Sequence, residues 1–215
     1  MRPSSLLVVP VAAVAVVALA FSDPVPAPAP EPPTTGLVTM YLRDPISSSV
    51  DFSRGVAGRT FENHMLKNFQ SDLDAGVSPG EFYAGLDGDR VAAIVDLGTP
   101  QDLQQKYGYT ETRAIGQGFA SIRMHEGELV ILKDYEAQTT QQLSDVDPLF
   151  EALAGKAHLP IEDDHLYIMR VRDKDPAGFD LMVKFIVVGY EPNVSVTLRW
   201  QRIDLKDAKD ATDAK

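Results

Sequence analysis

The chain contains no cysteine. That absence removes disulfides, thiolate metal sites and cysteine nucleophiles together. Positive charge is scarce: 20 Lys and Arg stand against 31 Asp and Glu, a formal net charge of −11. Such a surface repels phosphate backbones and anionic lipid heads, which argues against nucleic acid as a partner. Aromatic residues make up 8%, with Trp200 the single tryptophan. Several catalytic signatures are missing too. No Gly-x-Ser-x-Gly elbow occurs. The glycines of RGVAGR (54–59) and AIGQGFAS (114–121) lack the Lys-Ser/Thr ending of a phosphate loop and read as turn glycines. DLDAG (72–76) fails as a calcium loop, because Gly76 stands at the fifth position and no glutamate stands at the twelfth.

What is present divides the chain into four parts. Residues 1–20, MRPSSLLVVPVAAVAVVALA, read as a secretory signal: Arg2 leads, Leu6–Ala20 is apolar, and Ala18-Leu19-Ala20 offers a small-x-small cleavage site. That apolar run falls short of the ~20 residues of a membrane-spanning helix. An uncleaved signal anchor is the alternative, and only then is a membrane a partner. Residues 21–36 form a Pro/Ala-rich linker, which prefers an extended polyproline II rod because proline gives no donor to a helix or ladder. Residues 37–203 form one globular domain of about 167 residues, enough for a core without staples. Residues 204–215, rich in Asp, Lys and Ala, have no apolar face and read as a disordered tail.

Within the domain, LVTMYLRD (37–44) predicts a first strand. RTFENHMLKNFQSDLDAG (59–76) predicts a helix, with Phe61, Met65, Leu66, Phe69 and Leu73 at spacings of three and four. His64 at the edge of that stripe reads as a boundary residue rather than a base. EFYAGL and RVAAIVDLG around Asp87-Gly88-Asp89 predict a hairpin, and GFASIRMHEGELVILKD predicts another around Glu126-Gly127. TPQDLQQKYG predicts a short helix opened by Thr99 and Pro100; DVDPLFEALAG predicts a second, with Asp147 as N-cap, Pro148 first and Gly155 past the end. The last third predicts a three-strand antiparallel meander. Val194, Val196, Leu198 and Trp200 share the buried face of its last strand, and its middle strand is apolar on both faces beyond its start. The fold class is therefore β-rich α+β, an antiparallel β-sandwich or open barrel with two to three short helices.

HLPIEDDH (158–165) is the stretch closest to chemistry. His158, Asp163, Asp164 and His165 are the candidate catalytic set for a secreted metal-dependent or carboxylate-based hydrolase. The simpler reading is a polar turn, Glu162 to Asp164, delivering the chain into the strand HLYIMRV. Pro160 forbids a helix that would bring the two histidines onto one metal. The expectation is no bound metal and no cofactor. A second candidate is the polar, glycine-rich loop QKYGYTETRAIGQGF, where Tyr107, Tyr109 and Arg113 would contact a ligand. The plainer alternative there is that one tyrosine packs down while the other covers the core edge. Asn193 in NVS matches a glycosylation pattern, which is treated as chance. The favoured expectation is an exported, non-enzymatic binding or assembly module in a cell envelope, whose partner is an envelope protein, a peptide or a glycan.

Overall fold

The computed structural model describes residues 33–58, 71–85, 90–109, 121–134, 139–151, 156–175 and 178–205. The expected signal, most of the linker, residues 59–70 of the expected first helix, the Asp87–Asp89 turn, Arg113 and the tail from 206 lie outside the described residues.

The described chain is strand-rich, every pairing is antiparallel, and two short helices accompany three sheets. The first sheet contains β1 (Thr35–Tyr41), β6 (Arg90–Asp96), β11 (Leu166–Asp173), β12 (Asp180–Glu191) and β13 (Ser195–Ile203), in the order β1-β13-β12-β11-β6. The second contains β2 (Ser49–Asp51), β3 (Val56–Ala57), β4 (Leu73–Asp74), β5 (Glu81–Ala84) and β10 (His158–Pro160), in the order β10-β5-β4-β2-β3. The third is the meander β7 (Ile122–His125), β8 (Glu128–Asp134) and β9 (Thr139–Gln142).

Two apolar clusters follow from strand alternation. Tyr167, Met169 and Val171 of β11 point to one face with Val183, Phe185 and Val187 of β12 and Val196, Leu198 and Trp200 of β13; there they meet Phe52, Leu73 and Phe82 of the second-sheet side. Leu166, Ile168, Met182 and Ile186 point the other way, against Leu129 and Ile131 of β8 and Leu103 of α1 (Pro100–Tyr107). The first sheet is thus packed on both faces along β11 and β12, as their near-continuous apolar sequences require.

Several expectations are met. The meander β11-β12-β13 is present, and Trp200 is 1% exposed. Glu126 (φ 52°) and Gly127 (φ 83°) turn β7 into β8 through consecutive left-handed residues, the geometry of a two-residue hairpin loop. Helix α1 opens with a reciprocal box: Thr99 Oγ1 accepts from Asp102 N (3.3 Å), and Asp102 Oδ2 accepts from Thr99 N (2.8 Å).

Others are corrected. The helix expected over 59–76 cannot run through Leu73, which lies in β4 opposite Val50 and Ala84 and is fully buried. Strands β5 and β6 do not form the expected hairpin: β5 pairs with β4 and β10, while β6 pairs with β11. The chain leaves the second sheet at Gly85 (φ 62°), where a Cβ would lie 2.5 Å from the Ala92 methyl. Val194 is exposed, since it sits in the turn before β13 rather than on its buried face. In α2 (Asp147–Glu151), Asp147 is already inside the helix, its N–H bonded to Leu143 O at 3.2 Å, so it is not the N-cap. The expected stop at Gly155 lies outside the described residues.

Candidate functional site

The two histidines of HLPIEDDH serve different strands. His158 opens the edge strand β10 opposite Tyr83, stacks on that ring at 5.2 Å, and holds Nδ1 3.8 Å from Glu81 Oε1. Pro160 suits this edge position, having no N–H to offer a further strand. Asp163 and Asp164 form the turn into β11, with Asp164 in the left-handed region (φ 59°) and its N–H bonded to Val187 O. His165 takes its carboxylate from Asp96 on β6, with Nδ1 2.9 Å from Oδ2, not from its neighbours Asp163 and Asp164. Among the described residues, no three His, Asp or Glu side chains converge on a point that could hold a metal ion.

The His165–Asp96 pair has the geometry of a base and its orienting carboxylate: with the proton at Nδ1, the ring presents a basic Nε2. Its surroundings are scaffold. Asp96 Oδ1 also accepts from Gly98 N at 2.7 Å, and the nearby Asp102 is the third helical residue of the capping box whose N-cap is Thr99. Thr99 Oγ1 donates to Asp102 Oδ2 at 2.6 Å. The carboxyl of Asp102 is held below its usual range by the Thr99 hydroxyl and backbone, with His165 adding a smaller pull in the same direction.

Of the expected ligand-contact loop, Tyr107 and Tyr109 lie among the described residues and Arg113 does not. Tyr107 and Tyr109 are each only 7% exposed and pack into the cluster beneath the third sheet. Tyr107 ends α1 on its apolar face, and its hydroxyl donates to Asp145 Oδ1 at 2.8 Å, so both ring and polar tip are used internally.

Sequence reading missed a buried charge network. Asp72, 1% exposed just before β4 of the second sheet, accepts from Phe52 N (2.7 Å), Ser53 N (3.3 Å) and Arg90 Nη1 (3.2 Å). Arg90 reaches on to Asp173 Oδ1 (3.5 Å) in the first sheet and covers the Phe179 ring at 4.1 Å. The network therefore bridges the two five-stranded sheets. Burial, reinforced by the charge of Asp51, pushes the Asp72 carboxyl up to about 6. Burial also acts upward on Asp51, but hydrogen bonds from Ser53 and Arg54 outweigh it and hold that carboxyl low. Lys184, 4% exposed on β12, donates to Ile122 O at 3.2 Å; burial first, then Arg199, pulls its ammonium down to about 7.

Of the seven exposed large apolar side chains among the described residues, four lie together at the β1 edge. Leu37 is 69% and Tyr41 55% exposed on β1, the edge of the first sheet, and Ile46 and Val56 are exposed where the β1–β2 connection and β3 run beside it. The seven residues of β1, TGLVTMY, carry no charged side chain. On the neighbouring strand β13, the residues opposite Tyr41, Thr39 and Leu37 are Ser195, Thr197 and Arg199. β1 is thus an uncharged, partly apolar edge strand on an acidic chain. No family model matches the chain, and neither a curated protein nor a solved structure matches it.

Proposed function

We propose that this chain is an exported, non-enzymatic binding or assembly module, displayed on its proline-rich linker in the cell envelope. We read its two five-stranded sheets as the faces of a sandwich, because they share one apolar cluster. The observation that carries the functional reading is the rim at β1, where Leu37 and Tyr41 stand in solvent on an uncharged edge strand. The sequence supports the location through its signal-like first 20 residues and the Pro/Ala run that follows. The test compares the exported chain with a Leu37→Asp, Tyr41→Asp double variant, each immobilised and exposed to an envelope fraction. The native chain should retain a component that the variant loses. Equal retention by both, or none by either, overturns the reading.

The second reading, a secreted metal-dependent or carboxylate-based hydrolase, now rests on the His165–Asp96 pair rather than on Asp163 and Asp164. Stoichiometric metal in the purified protein, or a hydrolytic activity abolished by His165→Ala, would put it first.

A further inference from the structure

We propose that the rim's partner is a second copy of this chain, joined through antiparallel pairing of β1 with β1 across a two-fold axis at Leu37. The inference rests on the binding-module reading above and specifies its partner. Hydrogen-bond parity along β1 supplies the geometry. Leu42 N donates to Val194 O and Arg202 N donates to Thr34 O, so the even-numbered residues of β1 face β13. The odd-numbered residues turn their N–H and C=O to the outer edge. At Tyr41 that edge is already closed, since its N–H bonds Ser47 O and its C=O accepts from Asp44 N. Among the described residues, Thr35, Leu37 and Thr39 therefore offer an open row of three donors and three acceptors. Upstream stands Pro33, which has no N–H to lengthen the row.

A row bounded in this way fits a copy of itself in one symmetric register. With the axis at Leu37, Leu37 meets Leu37 of the second copy, Thr35 meets Thr39, and Tyr41 reaches over Pro33. All three residues then exchange both their backbone bonds. Leu37, 69% exposed in the single chain, then covers its apolar side chain against Leu37 of the second copy. Charge selects the same occupant. Two chains of net charge −11 repel over most of their surfaces, but Thr35–Tyr41 brings no like charges opposite each other. A strongly charged partner would find no complement on this strand. Natural edge strands are usually blunted by Lys, Pro or a bulge. β1 has none of these between Thr35 and Tyr41.

The test uses the exported chain and the absence of native cysteine. Sedimentation equilibrium should give twice the chain mass for the native protein and the single-chain mass for Leu37→Lys, with unchanged circular dichroism. Leu37→Cys should form a disulfide-linked dimer under mild oxidation, because directly opposed residues in such a ladder lie within disulfide reach. Tyr41→Cys should not, since its two copies would be ~27 Å apart. A native monomer, or a dimer that persists in Leu37→Lys or fails to cross-link through Leu37→Cys, overturns the pairing. The two proposals fail separately. A monomer whose envelope capture still requires Leu37 and Tyr41 removes only the self-pairing. Capture that ignores both residues, together with a monomer, removes the binding reading as well.

Discussion

Trp200 concentrates much of the core in one side chain. Its ring lies 5.3 Å from Phe52 and against Gly36, and its Nε1 has no hydrogen-bond partner among the described residues. The unpaired donor is tolerated because the ring's apolar burial outweighs it. Trp200→Ala should cost ~3–5 kcal/mol, read by denaturant titration. Native tryptophan emission should be blue-shifted and move red on unfolding; emission at the water-exposed wavelength would contradict the burial. Asp72 gives a pH prediction. Its pKa is raised in the fold, so its contribution to stability is fully present below the unfolded value of ~4 and is lost as pH rises through about 6. The amount at stake is on the order of 2–3 kcal/mol. The melting temperature should therefore fall between about pH 4 and pH 6 by more in the native chain than in Asp72→Asn. Lys184 acts in another window. Its folded pKa is lowered to about 7, so the unfolded chain binds the extra proton and stability rises from about pH 7 towards the unfolded value near ~10.4. Lys184→Met should flatten that alkaline slope.

At the scale of elements, local chemistry was legible wherever it decided the structure. Thr99, Pro100 and Gly108 bracket α1, and the capping box makes Thr99→Ala worth a loss of ~1 kcal/mol, measurable as a lower melting temperature. The Glu126-Gly127 turn and the alternation in β11, β12 and β13 were equally readable, because each strand is long enough to show its period. The second sheet was not readable. Its strands β2, β3 and β4 are two or three residues long, below the length at which alternation can be seen. Leu73 fitted a helical spacing equally well, and its real partners, Val50 and Ala84, are set by pairing that no local pattern records. The same limit explains the site. TGLVTMY is plainly a strand, but its place at a sheet edge depends on β13 arriving from the far end of the chain. Tyr107 looked available because its neighbours are polar; the third sheet that covers it lies further on in the sequence. Asp72 was hidden among 31 acidic residues, and only tertiary packing distinguishes it.

At the scale of the whole molecule, the acidic balance and the neutral rim pull in opposite directions. Added salt screens repulsion between two copies over about a Debye length, ~8–10 Å at physiological strength, and leaves backbone pairing largely intact. Association of the native chain should therefore strengthen as ionic strength rises, observable as a growing dimer fraction in sedimentation at fixed concentration. An interface made of opposite charges would weaken instead. Export has its own readout: mass spectrometry of the secreted chain should place its first residue at Phe21, whereas a full-length species that requires detergent would favour the signal anchor.

The β1–β13 ladder also determines how the domain answers to force. The described chain enters beside Thr34 and leaves after Ile203, and Arg202 N is bonded to Thr34 O at 2.8 Å, so entry and exit lie side by side. Tension applied between the two ends would peel β1 from β13 like a zip, loading one backbone bond at a time rather than the whole row in shear. The ladder opened first is the one that supports the free edge. Pulled from both ends, the domain should yield at low force, giving up its rim before its core; anchored at one end only, it would carry no load through that ladder at all.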